Sequence, residues 1–151
     1  MAFMQIPRRV DYGLRAVIYL SNQDPERSCS IGEIAKHQGI PPKFLEKILQ
    51  DLIHSGLVKS KRGVDGGHSL ARQPQEISFQ DVIEALAGPI AVNVCMDPHS
   101  ACNHLSRCTM VGVWSEVQRK VTEIFTQTTL ADLQRAPCQA RLNPSSLSSA
   151  A

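Results

Sequence analysis

A mainly α-helical fold with one small β-hairpin is what this sequence predicts, and three observations carry the prediction. Apolar residues recur at helical spacing in several separate stretches, most of them opened by a capping residue or a proline. One segment, Leu57-Val58-Lys59-Ser60-Lys61-Arg62, alternates like a strand, turns through Gly63-Val64-Asp65-Gly66-Gly67 and returns through His68 to Arg72. Three cysteines, Cys95, Cys102 and Cys108, then crowd a short polar segment ahead of the longest helical pattern.

From Val10 to Leu20, the residues Val10, Leu14, Val17 and Ile18 form one apolar face, giving an amphipathic first helix that ends near Asp24-Pro25. Ser30 opens a capping box, Ser-Ile-Gly-Glu, in which Glu33 is placed to reach back to the Ser30 amide. The short helix that follows carries Ile31, Ile34 and Ala35 and stops at Gly39, a natural left-handed cap. Pro41-Pro42 begin the next helix, because a first-turn amide has no partner to lose. Phe44, Leu45, Ile48, Leu49, Leu52 and Ile53 line its apolar side, and Gly56 closes it.

A short helix, a glycine turn and a longer helix starting in polar residues make a helix-turn-helix, whose second helix enters the major groove of DNA N-terminus first. The basic hairpin right behind it is a wing, with Lys59, Lys61, Arg62 and Arg72 placed to meet phosphates or the minor groove. Lys43, Phe44 and Glu46, at the start of the second helix, are expected nearest base edges, with Lys47, Lys59, Lys61 and Arg62 on backbone or minor groove.

Charge agrees with this division. Residues 1–72 hold eleven Lys/Arg against seven Asp/Glu, whereas residues 73–151 hold five against seven. A basic first half suits nucleic acid, and a mildly acidic second half suits assembly or sensing. The 151 residues amount to one domain by length, and 42% hydrophobic with 20% charged residues is ordinary for a globular chain. No apolar run reaches membrane-spanning length, and the N-terminus lacks the features of a signal peptide, so a cytoplasmic protein without membrane contact is expected. In a reducing compartment, clustered cysteines read as metal or redox ligands in preference to disulfides.

The remaining elements follow in order. Ser78 caps a helix carrying Phe79, Val82, Ile83, Ala85 and Leu86, which Gly88-Pro89 break. Ile90 to Val94 lead into the cysteine loop. Thr109 is placed to cap the long helix, whose stripe is Val113, Val117, Val121, Ile124 and Phe125, with Trp114 expected to anchor it against the winged helix of either subunit. Thr129 opens a last short helix in Thr-Leu-Ala-Asp, ending before Pro137, and the Ser/Pro-rich remainder is expected to be disordered. The chain thus divides into a winged helix-turn-helix over 1–90, a cysteine loop and long helix over 91–136, and a tail over 137–151.

Asp-Tyr-Gly-Leu-Arg-Ala in the first helix, the Arg-Gly-x-x-Gly-Gly wing, and three cysteines between the hairpin module and a long helix together resemble the bacterial iron–sulfur winged-helix regulators of the IscR, NsrR and RirA type (the Rrf2 family). The resemblance runs from about Ile6 to Leu133. It implies a homodimer joined through the long helix and a transcription regulator, as a rule a repressor, that binds a double-stranded DNA operator. An iron–sulfur cluster of the 2Fe–2S or 4Fe–4S kind would report iron or cluster supply, nitric oxide or redox stress.

Thiolates favour iron–sulfur clusters and zinc over hard ions, which makes Cys95, Cys102 and Cys108 the expected ligands. Their C-x6-C-x5-C spacing matches neither zinc knuckles nor ferredoxin runs. Three thiolates leave a cluster one ligand short. The IscR branch places a histidine where this chain has Val111. The NsrR branch uses an aspartate of the first helix, reaching the other subunit's cluster, and its counterpart is Asp11. His99 and His104, within the loop, are the local alternatives, and Cys29 and Cys138 read as structural or incidental. Other classes stay in view: a regulator whose cysteines hold zinc or act as a thiol switch, one governed by a partner protein, and a small electron carrier or enzyme. The last lacks a Gly-rich phosphate loop and a catalytic constellation, so no enzymatic activity is expected.

Overall fold

The computed structural model describes residues 5–134. The tail assigned to 137–151, and Cys138 within it, lie outside the described residues. Six α-helices and one two-stranded antiparallel sheet occur in the order α1 (Arg8–Ser21), α2 (Ile31–Gln38), α3 (Pro42–His54), β1 (Val58–Lys61), β2 (Gly67–Leu70), α4 (Phe79–Ala87), α5 (Val111–Gln127) and α6 (Leu130–Leu133).

Helix α1 is the post around which the reader unit packs, touching α2, α3, α4, β2 and α6. Its Val10, Ala16 and Val17 are fully enclosed, together with Ile34 of α2, Leu45, Ile48, Leu49 and Leu52 of α3, and Val82 of α4. Burying each large aliphatic side chain removes it from water at a gain of ~1.5–3 kcal/mol, so this cluster fixes the angle between α2 and α3. Gly13 lets α4 approach, since a Cβ there would stand 2.1 Å from the Leu86 side chain. Gly39 closes α2 in the left-handed region (φ 63°), and Pro42 sits in the first turn of α3.

The wing pairs Val58 with Leu70 and Lys61 with Gly67. A third segment joins it: Cys29 and His68 exchange backbone hydrogen bonds of 2.9 and 2.8 Å. Gly67 makes that approach feasible, with φ of 152° and an added Cβ only 2.6 Å from the Cys29 carbonyl oxygen. The wing glycines are therefore a packing requirement as well as a turn signal.

A second bridge closes the other end of the chain. The Phe79 amide donates to the Thr128 carbonyl at 2.8 Å, and the Leu130 amide to that of Ile77 at 2.9 Å. Capping boxes at Ser78–Asp81 and Thr129–Asp132 flank this joint.

Several local expectations need correction. Ser30 does accept from the Glu33 amide, but the Glu33 carboxylate turns away to Tyr19 and Arg27, so only half of the capping box forms. Helix α5 starts at Val111 with Met110 at its cap and no side-chain cap, so Thr109 does not fill that role. Phe44 belongs to the solvent side of α3, at 63% exposure, because Leu45, Ile48, Leu49 and Leu52 suffice to fill the core. Of the two anchorings expected for Trp114, the one on its own chain does not form: it is half-buried and not among the residues packed on the core, where Phe125 stands 5.1 Å from the Phe79 ring.

Two glycine substitutions should therefore diverge. Gly67→Ala should cost on the order of 1–3 kcal/mol, from strain and displaced backbone. Gly32→Ala, inside α2 with its nearest neighbour 4.0 Å away, should gain ~0.5–1 kcal/mol. Urea unfolding of the two variants beside the parent measures both.

Candidate nucleic-acid interface and cysteine loop

Lys43, Phe44, Glu46 and Lys47 are all exposed on α3, opposite its buried stripe. Gln50 stands on the same face, one turn further along, and sequence reasoning passed over it because glutamine carries no charge or apolar signal. The spacing of Lys43, Glu46, Lys47 and Gln50 is that of a single helical face, which would have found it. Lys59, Lys61 and Arg62 are likewise exposed, Arg62 standing just past the end of β1 in the turn. Among the described residues none of these cations is held in an intramolecular ion pair. Arg72 differs: it reaches Asp81 of α4 at 3.8 Å and ties the foot of the wing to the body.

Beneath this surface a polar network holds the reader together. Tyr19 of α1 donates to Glu33 Oε1 at 2.8 Å, and Arg27 Nη2 donates to the same oxygen at 2.7 Å. His37 stacks on the Tyr19 ring at 5.3 Å. The tyrosine hydrogen bond and then the arginine charge hold the Glu33 carboxyl below the usual glutamate range. Burial, followed by the Glu33 charge, pushes the Cys29 thiol up. Burial also pushes His68 down, and its Nδ1 is enclosed without a hydrogen-bond partner. Arg9 pairs with Asp51, joining α1 to α3 from outside.

The cysteine loop is rooted on α5. Gln118 accepts from the Val92 amide at 3.0 Å and donates to the Ile90 carbonyl at 2.7 Å, while Ser115 donates to the Met96 sulfur at 3.8 Å. Cys95, Cys102 and Cys108 are half-buried free thiols. Cys95 lies in a short 3-10 turn, Val94–Met96, and Cys108 directly follows another, Leu105–Arg107. Cys108 stands three residues before α5 and not at its cap.

His99 and His104 are exposed. The His99 amide and the Ser100 hydroxyl both donate to Asp97, whose carboxyl they hold below the usual range. Asp11 is half-exposed on α1 and paired with Arg15 at 3.0 Å. Among the described residues, no three His, Cys, Asp or Glu side chains stand together closely enough to hold a metal ion. The donor set fits a soft-metal group in its chemistry, as three accessible thiols outside any disulfide, and a bound group would have to draw them together.

Known proteins agree with this arrangement. The family model described as Rrf2, iron-dependent transcriptional regulator, matches residues 6–136. The rrf2 protein of Nitratidesulfovibrio vulgaris is 32% identical over 132 residues, covering 87% of this chain and 88% of its own. Among solved structures, CymR of B. subtilis, described as the global cysteine regulator of that organism, superposes with a TM-score of 0.74 at 30% identity, covering 87% of this chain and 96% of its own. IscR of T. potens gives 0.71 at 30% identity, covering 86% and 85%.

The network around Glu33 sets an acid response. A depressed carboxyl stabilises the fold above its unfolded value and loses that contribution as pH falls through the lower folded value. His68, also depressed, withdraws its share as pH falls below the ordinary histidine range. Glu33→Gln should lower stability at neutral pH and make its decline below the glutamate range shallower. Urea midpoints measured across a pH series would show this.

Proposed function

This chain belongs to the Rrf2 family, whose members are transcription regulators and not enzymes, and from that premise we propose a homodimeric, cytoplasmic repressor whose operator affinity is set at the cysteine loop by an iron–sulfur cluster. The observation that carries the reading is a loop bearing three free thiols whose start is rooted on α5 by Gln118, while the segment just past α5, Thr128–Leu130, is hydrogen-bonded to Ile77 and Phe79 of the reader unit. Among the described residues no helix is long and apolar enough to cross a membrane.

Residues 1–90 read DNA. Lys43, Phe44 and Glu46 present the first turns of α3 to base edges, and Lys47, Lys59, Lys61 and Arg62 meet phosphates and the minor groove. Two such units need recognition helices one DNA turn apart, ~34–36 Å, or a multiple of it. Residues 91–136 set that separation. Val113, Val117, Val121 and Ile124 face a second copy, and Cys95, Cys102 and Cys108 supply thiolates, with Asp11 of the partner subunit as fourth donor ahead of His99 or His104. A bound iron–sulfur group supplies a tie between these ligands that oxidants and nitric oxide can sever. With the tie in place, Gln118 and the Thr128–Leu130 joint hold α5 and the reader in one geometry.

A second reading is favoured by the likeness to CymR of Staphylococcus aureus, of which an oxidised form is known: the same loop acts through its cysteines as thiols, without a metal. Anaerobic purification separates the two. Visible absorption with matching iron and sulfide supports the cluster, and Cys95→Ala, Cys102→Ala or Cys108→Ala should each abolish it. Asp11→Ala should keep it with an altered spectrum or altered nitric oxide reactivity, because an oxygen donor on iron tunes more than it retains. A colourless protein with intact regulated binding supports the thiol reading.

DNA binding and assembly are tested together. Arg62→Ala should weaken binding to a selected operator by ~1–3 kcal/mol, and the parent's affinity should fall with salt at a slope near −0.9 per phosphate contacted. Val117→Glu should give a monomer with a folded reader that no longer binds two half-sites cooperatively. Sedimentation and gel shift report these outcomes.

A further inference from the structure

We propose that Val64, at the tip of the wing, is a specificity residue: an apolar wedge that enters the minor groove and favours operators carrying a deformable pyrimidine–purine step beneath it. This rests on the reading of the wing as a DNA contact and adds what the wing senses there.

Val64 is completely exposed, with no surface of its own chain beneath it. It lies inside a turn closed by the Gly66 amide donating to the Gly63 carbonyl at 3.0 Å. Such turns favour glycine, proline, asparagine, aspartate and serine for conformational reasons, and a β-branched aliphatic side chain has none of them. Neither folding nor solubility accounts for valine here.

The neighbours indicate what does. Lys61 and Arg62 are exposed cations directly behind the tip, able to bring it onto the phosphates. Gly63 and Gly66 carry no side chain, so Val64 and Asp65 lead. Phosphates repel the Asp65 carboxylate, so the tip gains little from electrostatics alone and is a poor general anchor for polyanions. The hairpin behind it is stiff, because Cys29 and His68 fasten β2 to the body with two backbone hydrogen bonds. A wedge needs that stiffness to transmit force.

The chemistry of the minor groove favours this mode. Its hydrogen-bonding pattern is degenerate, so a polar tip would discriminate weakly. Apolar side chains inserted at a base step are selective in another way, since TA and CA steps unstack at lower cost than AA or GG.

The test uses the full-length protein purified anaerobically, with an operator selected in vitro by the parent. Duplexes carrying TA, CA, AA or GG at the base step under the wing compete for parent, Val64→Ser and Arg62→Ala proteins. The parent should prefer TA or CA by about tenfold, the scale of one mismatched pair. Val64→Ser should lose most of that preference while keeping the parent's salt slope and its choice of bases under α3. Arg62→Ala should instead lose affinity for every duplex alike. A parent with no step preference, or a Val64→Ser protein that keeps it, overturns the wedge while leaving readout by α3 intact. A parent that binds no duplex in a salt-dependent manner overturns the DNA reading along with it.

Discussion

Two backbone hydrogen bonds, between Phe79 and Thr128 and between Leu130 and Ile77, are the constraint on which the rest of the molecule depends. They fasten the far end of α5 to the strand-like lead into α4, and α4 packs directly on α1 and α3. Ile77 and Leu130 at the joint are fully buried, so water cannot compete for these amides. The capping boxes at Ser78 and Thr129 settle the amides on either side of the joint. Phe79 and Phe125 add an apolar contact beside it. A displacement of α5 is therefore passed on to the reader unit and cannot be absorbed in a loose loop.

The wing is fixed by the same device at the opposite end. Cys29 contributes a strand-like edge to His68, and the residues around Cys29 belong to the network of Tyr19, Arg27 and Glu33 that clamps α2 to α1. Helix α3 and the wing are thus parts of one body held by backbone hydrogen bonds and by a half-buried polar network. This also separates two kinds of cysteine. Cys29 is enclosed, and burial pushes its thiol above the ordinary range, which disfavours the reactive thiolate. Cys95, Cys102 and Cys108 are half-exposed on a loop anchored at its root, where a ligand can reach them.

Most of the reader was legible in the sequence because its signals are local. Ser30, Gly39, Pro42, Gly56 and Ser78 mark helix ends by conformational or hydrogen-bonding requirements that tertiary packing did not override. What escaped depends on long-range choice. Glu33 satisfies the capping pattern, yet its carboxylate prefers a half-buried phenol and a guanidinium that sequence spacing cannot bring near. Thr109 is a residue type that caps helices, but α5 starts two residues further on. Phe44 lies at apolar spacing, and only the completed core shows that it is not needed there. The cysteines were legible as a donor set and not as a site, because their convergence is no property of spacing.

Helix α5 brings these observations together. Seventeen residues long, it buries none of its side chains completely, and Val113 and Ile124 stand 65% and 61% exposed. Val94, Leu105 and Met110 of the cysteine loop are exposed as well. Glu116, Arg119, Lys120 and Glu123 form ion pairs along the flank of this stripe. On the proposed reading a second copy of the chain covers the apolar residues. On that reading, because Gln118 roots the start of the cysteine loop on the helix, whatever gathers or releases Cys95, Cys102 and Cys108 would act on the dimer seam and, through the joint at Thr128–Leu130, on the spacing of the two recognition helices.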